Sequence, residues 1–204
     1  MISKLLKPGL WLGVLTLSAL YGQVQVTVTP AAVEMHIGNE QQFTATVTGS
    51  ADRAITWAVD SVAGGDATVG RIATNGRYTP PAVLPARPAV AVYAVHESTG
   101  VVSKGAVVTL LNPYPILASV RPGRLFTGPF AVTVNGSGFT AGSRVRLGSM
   151  DLATTFVSAT RLVAAGTLPA AASGALPLAV TNPDPGSQTS VSIGVAVNAP
   201  CAAS

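Results

Sequence analysis

Apolar and polar residues alternate one by one along most of the chain. The first such run covers residues 24–29, where valines alternate with Gln and Thr, and later runs cover residues 43–48, 55–59, 90–96 and 101–111. A period of two places every second side chain on the same face, so these runs predict β-strands that bury one face in a core. Pairs such as Gly64-Gly65 and Asn75-Gly76 separate the runs and predict turns.

The same pattern continues in the second half. Strands are predicted at residues 116–120, at residues 130–134 and around Val145 and Leu147. Later core positions are expected at Phe156, Leu162, Leu176, Leu178, Val180, Val191, Ile193, Val195 and Val197. The run Asn182-Pro-Asp-Pro-Gly186 predicts a hairpin turn between the last two strands.

A sustained helical period of 3.6 residues does not occur in this part of the chain. The Ala-rich stretch 168–175 comes nearest, but it is short and contains Pro169 and Gly174, so we expect a loop there. Short strands at intervals of about 8–12 residues, separated by turns, are typical of a β-sandwich. The fold class predicted is therefore all-β, with two tandem immunoglobulin-like β-sandwich domains built mainly from antiparallel strands.

The N-terminal segment, residues 1–22, has the pattern of a signal peptide. Lys4 and Lys7 form a positive region, and the apolar stretch at residues 10–20 is shorter than the about 20 residues that a membrane-spanning helix needs. Cleavage is expected after Gly22 or after Ala19, and an uncleaved anchor is the alternative. The exported protein is expected to be secreted or held at the cell surface, and not to be an integral membrane protein after cleavage.

Domain boundaries follow from prolines and from the change of pattern. Two prolines in Asn112-Pro-Tyr-Pro115 cannot join a central strand ladder and favour a short, stiff linker. We therefore expect a first domain at residues 23–112, a second domain at residues 113–198 and a tail at residues 199–204.

Two family resemblances are carried by spaced motifs. The first domain, with Val26-Thr-Val-Thr-Pro30, Gln42-Phe-Thr-Ala-Thr-Val-Thr-Gly49, Thr56-Trp57 and Gly76-Arg-Tyr-Thr-Pro80, resembles bacterial Ig-like domains of group 2. That resemblance implies a core position for Trp57. The second domain, with Ile116-Leu-Ala-Ser-Val120, Phe130-Ala-Val-Thr-Val-Asn-Gly136-Ser-Gly138-Phe139 and Val180-Thr-Asn182-Pro183, resembles an IPT/TIG domain. Together they imply a modular exported bacterial protein, either complete in this chain or part of a longer array.

Composition and charge exclude several function classes. Charged residues make up 10% of the chain and the net charge is +4, with two of the lysines inside the predicted signal peptide. The remaining basic residues are dispersed, whereas nucleic-acid binding needs them on one face, so no nucleic-acid partner is expected. Cys201 is the only cysteine, which rules out an intrachain disulfide and leaves its role open.

No motif carries catalytic or metal chemistry. The run Gly136-Ser-Gly138 matches part of a dinucleotide fingerprint, but a strand follows it where that fingerprint needs a helix. His36 and His96 are the only histidines, too few for a zinc site, and no serine motif accompanies them. Asp60 and Asp66 flank a glycine-rich loop that is expected to be solvated and not to bind calcium. We predict no catalytic residue, no cofactor and no metal.

Binding is the function class that stays open. Tyr78 and Tyr93 are the candidate ligand-contact residues, because exposed aromatic rings can stack on ligands. The chain is predicted to be a non-catalytic, secreted or cell-surface structural or adhesive module. The alternative is a carbohydrate-binding accessory module of an exported enzyme system. The partner is unknown, with a cell-surface protein or a polysaccharide as the two classes considered.

Overall fold

The computed structural model describes residues 22–198. All but the last residue of the predicted signal peptide, and the tail with Cys201, lie outside the described residues. The described part of the chain is built from β-strands and turns without a helix, and consequently holds no helix able to span a membrane.

The first half of the described chain forms eleven strands. They are β1 (Gln25–Thr29), β2 (Ala32–His36), β3 (Gln41–Gln42), β4 (Thr44–Thr48), β5 (Ile55–Val59), β6 (Val62–Ala63), β7 (Gly65–Asp66), β8 (Gly70–Ile72), β9 (Arg77–Thr79), β10 (Ala89–His96) and β11 (Ala106–Leu111). A five-stranded sheet, in the order β2-β11-β10-β5-β6, forms one layer. The pair β1-β4 and the sheet β3-β9-β8-β7 pack against it.

Nine strands follow in the second half. They are β12 (Ile116–Arg121), β13 (Arg124–Phe126), β14 (Gly128–Ser137), β15 (Arg144–Leu147), β16 (Met150–Asp151), β17 (Ala153–Ser158), β18 (Arg161–Leu168), β19 (Gly174–Thr181) and β20 (Ile193–Asn198). They form two facing sheets, ordered β12-β14-β18-β17 and β13-β20-β19-β15-β16. The all-β fold with tandem Ig-like sandwiches is thus confirmed.

Each half has its own hydrophobic core, built from the alternating positions. The first core extends from Val26 to Leu110 and contains Trp57, as predicted, while the second extends from Val120 to Val197. Along β10 every second residue is buried, from Val90 to His96. Burying one valine or leucine side chain contributes about 1.5–3 kcal/mol, so these positions dominate the stability of each sandwich.

Two strand pairs are parallel, whereas the alternation led us to expect antiparallel pairs. β11 pairs with β2 in parallel, and β20 pairs with β13 in parallel. In each domain a proline, Pro30 or Pro122, separates the two opening strands. Because proline has no N–H for the ladder, the first strand ends there and the next one joins the opposite sheet.

Three further expectations about strands and core were wrong. The last strand of the first domain begins at Ala106 and not at residue 101, because the Ser103 hydroxyl accepts a hydrogen bond from Ala94 N at 3.0 Å in place of a ladder carbonyl. Phe156 is 38% exposed on the edge strand β17, where no further strand covers it. Val191 is 88% exposed in the connection before β20. The stretch between β18 and β19 is a loop, as predicted.

Candidate functional site

Both histidines occupy buried structural positions, and their contacts do not form a catalytic arrangement. His96 ends β10, with its Nε2 3.1 Å from the backbone oxygen of Asp52 and its Nδ1 2.7 Å from Thr99 Oγ1. A carbonyl oxygen can only accept, so Nε2 donates to Asp52 O, while Nδ1 and the Thr99 hydroxyl form the second hydrogen bond. The Ser98 hydroxyl bonds the Asp52 carboxylate and thereby lowers the pKa of Asp52. This group ties the loop at residues 50–54 to the turn after β10.

The aspartates of the glycine-rich loop are held by backbone donors. Asp60 Oδ1 accepts from Ala91 N at 2.7 Å, and Asp66 Oδ1 accepts from Thr68 N at 2.7 Å and from Val69 N. The hydrogen bond from Thr68 N is the main cause that lowers the pKa of Asp66. Among residues 22–198 there is no group of three side chains suited to holding a metal ion.

Tyr78 lies in the core, so the expectation that its ring is available to a ligand was wrong. The side chain has 0% exposure and its hydroxyl donates to Val69 O at 2.7 Å. Burial raises the pKa of Tyr78, and the negative charge of Asp60 adds to the effect. Its ring packs edge-on against Phe43 at a centroid distance of 6.5 Å. The sequence pattern correctly predicted that Tyr78 lies on a strand. The structure shows that its side chain points to the inward face of that strand and not outward.

Tyr93, in contrast, stands on the outer face of the five-stranded sheet. The strand registers arrange its neighbours in three rows. The first holds Ala32, Val107 and Ala91, the second Gly105, Tyr93, Ala58 and Ala63, and the third Val102 and Val95 with Thr56 beside them. These side chains all point away from the core. We call this surface the Tyr93 face, defined by Ala32, Ala58, Ala63, Ala91, Tyr93, Val95, Val102 and Val107.

Gly105 determines how the Tyr93 ring lies. A Cβ atom at position 105 would come within 2.8 Å of Tyr93 Cε1, closer than carbon atoms approach each other. The glycine therefore lets the ring lie over the neighbouring strand. The result is a flat surface of small side chains with one aromatic ring, half-buried, at its centre.

The size of the Tyr93 face sets the kind of partner that it can hold. Nine positions, each about 4.8 Å across the strands and about 6.8 Å along them, give an area of about 300 Å². That is comparable to the largest apolar patch on a typical monomer, which is often functional. It is less than half of what each partner buries in a standard protein–protein interface. The face therefore suits a small or transient contact.

A second feature joins the two domains. The backbone N–H of Asn112 donates to Pro185 O at 2.9 Å, and its side-chain nitrogen donates to Pro183 O at 2.9 Å. His36 Nδ1 in turn donates to the backbone oxygen of Asn112 at 2.5 Å. Asn112 is buried, and it connects the end of β11 to the loop that follows β19. We call this region the joint.

Asn182 holds the joint from the second domain. It is fully buried, and its side-chain nitrogen donates to Pro113 O and to Gly138 O, both at 2.7 Å. Its Oδ1 accepts from the Ser143 hydroxyl at 2.6 Å. All of its polar side-chain atoms are therefore hydrogen-bonded in a place without solvent, where a missing partner costs most.

Aromatic packing covers the joint. The rings of His36 and Tyr114 lie 3.9 Å apart between centroids. Gly186 of the second domain lies so close to Leu111 of the first domain that a Cβ atom at position 186 would be 2.7 Å from Leu111 Cβ. The hydrogen bonds and these contacts together limit rotation between the two domains.

Sequence reasoning located some of these residues and missed others. It found Tyr93 as a candidate and residues 112–115 as the linker, but gave His36, Asn112 and Asn182 no role in joining domains. One signal was available: Asn-Pro occurs at 112–113 and again at 182–183. An asparagine before proline at two turns is compatible with a side chain that hydrogen-bonds backbone groups.

Comparison with known proteins identifies the second domain. Residues 115–196 match the family model of the IPT/TIG domain, which covers less than half of the chain. No curated protein sequence matches the chain. The resemblance of the first domain to group 2 bacterial Ig-like domains stays a prediction.

The solved structures similar to this chain include a TIG domain, an ICAM-5 ectodomain fragment and fibronectin(III)-like modules. The TIG domain of human nuclear factor of activated T-cells, cytoplasmic 4, is 13% identical, with 40% of this chain and 84% of that chain covered and a TM-score of 0.34. The ICAM-5 D1–D4 ectodomain fragment is 19% identical, and the chain spans 54% of its length (87% of this chain, TM-score 0.41). The fibronectin(III)-like modules of Clostridium thermocellum CbhA are 16% identical, with 86% and 94% covered and a TM-score of 0.32. At these identities the similarity concerns the fold alone.

Proposed function

We propose that this chain is an exported, non-catalytic interaction module that binds its partner through the Tyr93 face of the first domain. Export rests on the pattern of residues 1–22, and the module character rests on two Ig-like sandwiches with an IPT/TIG domain at residues 115–196. The observation that carries the proposal is the Tyr93 face itself, an outward sheet surface of alanine, valine and tyrosine. Polar and charged groups border it: the Asp60 carboxylate accepts from Ala91 N, Thr56 lies opposite Val95, and Glu34 lies one row further out on β2.

The exposure of this surface supports a binding role. Val107 is 47% exposed although it sits in the middle of a five-stranded sheet, between β2 and β10. Antiparallel sheets with a wet face normally place polar residues there. Apolar residues that persist on such a face indicate a partner that covers them for part of the time.

The joint gives the second domain its part in the proposed function. Hydrogen bonds from Asn112 cross to the second domain, where Asn182 anchors the linker residue Pro113, so the second domain serves as a stiff spacer that fixes the direction in which the Tyr93 face points. We place the domains at residues 23–112 and 113–198, after a signal peptide at residues 1–22. A spacer of this kind suits a secreted or cell-surface module with structural or adhesive duties.

A carbohydrate-binding accessory module is the second candidate. The observation that favours it is the Tyr93 ring, which lies against Gly105 on the outer face of the sheet and offers an aromatic surface on which a sugar ring could stack. Tyr93→Leu separates the two candidates, because it keeps an apolar side chain but removes the ring. A polysaccharide partner would be lost in this variant, whereas a protein partner would be largely retained.

The test compares matched charge insertions. The wild type, Val107→Arg and Val157→Arg are assayed for binding to intact cells and to purified envelope polysaccharides from the source organism. Val107 and Val157 are 47% and 51% exposed, but they lie on different domains. We expect Val107→Arg to weaken binding at least about tenfold, since it buries an unpaired charge, while Val157→Arg has little effect. Equal losses in both variants, or turnover of ester, peptide or glycan substrates by the wild type, would contradict the proposal.

A further inference from the structure

The two-stranded pair β1-β4 leaves a free strand edge on each of its two sides. Strand β4 pairs with β1 along one side, and no described strand pairs with its other side. Its sequence, Thr-Ala-Thr-Val-Thr, has no charge and no proline. Five residues of strand present an edge about 17 Å long, with unpaired backbone groups that can accept another strand.

Most other edges in the described chain carry protective features. The strands β6, β7 and β16 have only two residues each, and β13 has three. The edge strand β2 carries Glu34, β12 is interrupted by a bulge, and β17 has a bulge at Val157. Charges, bulges and short strands are the usual means by which proteins prevent unwanted pairing. Strand β4 has none of them, and neither has β1, but it is the β4 edge that borders a groove lined by a basic side chain.

A groove of about 540 Å³ runs along this open edge. Its walls are residues 45–49 and the side chain of Arg53. Among the described residues Arg53 forms no ion pair. The groove therefore combines a free strand edge with one uncompensated positive charge.

The loop that carries Arg53 is held in place by the buried group around His96. His96 Nε2 donates to Asp52 O, Glu97 N donates to Ala54 O, and the Asp52 carboxylate is occupied by Ser98 and by Ala54 N. Because Ser98 and Ala54 N occupy its carboxylate, Asp52 does not pair with the adjacent Arg53. This arrangement fixes Arg53 beside the groove without giving it a partner.

We propose that the β4 groove binds an extended peptide segment of another protein by strand addition, with an acidic side chain of that segment paired to Arg53. Backbone hydrogen bonds to β4 supply the affinity, and alternate side chains supply specificity. Ala45 and Val47 face inward along this edge, so every second residue of the peptide is expected to be apolar. This surface is independent of the Tyr93 face.

A second copy of the chain fits the groove less well. Pairing of β4 with β4 of another molecule would bring two Arg53 side chains to the site and no acidic residue, because β4 contains none. An acidic peptide supplies the missing charge. Charge complementarity therefore favours a different protein segment over self-association.

The experiment is a titration of the ¹⁵N-labelled protein with a capped peptide, Thr-Val-Thr-Val-Asp. Matched peptides replace Asp with Lys or carry N-methyl groups at alternate positions, which remove backbone donors without changing the side chains. The protein variants are Arg53→Glu and, as a control on an exposed arginine of the second domain, Arg124→Glu. Amide shifts, titration curves and the sedimentation behaviour of the free protein are recorded.

We expect amide shifts at residues 45–49 with the Asp peptide, and a dissociation constant about fivefold weaker for Arg53→Glu, the scale of an exposed ion pair. The Lys peptide should bind Arg53→Glu better than it binds the wild type, and Arg124→Glu should behave as the wild type. The proposal is overturned if residues 45–49 do not shift at millimolar peptide, if Asp and Lys peptides bind alike, or if the N-methylated peptide binds as tightly. It is also overturned if the free protein is a dimer whose contact includes β4.

Discussion

Replacing Asn182 with alanine tests the joint most severely. The substitution removes two donated hydrogen bonds, to Pro113 O and Gly138 O, and one accepted from Ser143 Oγ. An intramolecular hydrogen bond contributes about 1 kcal/mol net, so the loss is about 3 kcal/mol, and buried partners left unsatisfied raise it further. For a domain of this size the midpoint of thermal unfolding should fall by about 12–24 °C.

The two domains can be observed separately in this experiment. Trp57, in the first core, is the only tryptophan among residues 22–198, so its fluorescence follows the first domain. Far-ultraviolet circular dichroism follows both domains. We expect Asn182→Ala to lower the unfolding transition seen by circular dichroism while the Trp57 transition moves much less.

Ser143→Ala is the matched control. It removes the hydroxyl that bonds Asn182 Oδ1 and Thr140 N, but leaves both bonds donated by Asn182. Its expected cost is about 1–2 kcal/mol. A loss below about 1 kcal/mol for Asn182→Ala would refute the assignment of Asn182 as the hydrogen-bonding centre of the joint.

Three more predictions concern the joint, the Tyr93 face and pH. Asn112→Ala removes the bond to Pro183 O and should let the domains tumble more independently, measured by ¹⁵N relaxation in each domain. Gly105→Ala should displace the Tyr93 ring and change its NMR shifts and its binding, with little change in the unfolding of the core. The free energy of unfolding of the first domain, followed through Trp57, should be fully maintained above the unfolded-state pKa values of its hydrogen-bonded carboxyl groups. It should fall as the pH drops through their lower folded-state pKa values, because protonation then removes the hydrogen bonds and the ion pair of the carboxylates. Those groups are Glu40, beside Arg77, together with Asp52 and Asp66.

The alternation of apolar and polar residues predicted most of the fold. Period-two runs located the main strands, because a half-buried sheet requires one apolar face. The parallel pairs could not be predicted in this way. Whether β2 pairs with β4 or crosses to β11 depends on how the chain turns at Pro30, and the side-chain pattern is the same in both cases.

Tyr78 and Tyr93 show where the prediction of the site reaches its limit. Both lie on strands, but which face of a strand is buried depends on register, and a shift of one residue reverses it. Around Tyr93 the neighbours Val92 and Ala94 are both apolar, so the pattern does not decide which positions point outward. The joint was missed because His36, Asn112 and Asn182 are far apart in sequence and meet only after both sandwiches have formed.

Hydroxyl-radical footprinting of the protein, free and bound to its partner on cells or polysaccharide, tests the central claim most directly. Side-chain oxidation reports solvent access residue by residue, and Tyr93, Val102 and Val107 are accessible in the free protein. We predict that binding protects these three side chains and leaves Phe126 and Val157 in the second domain unchanged. Protection confined to the second domain, with Tyr93 and Val107 oxidised as before, would contradict the proposed function.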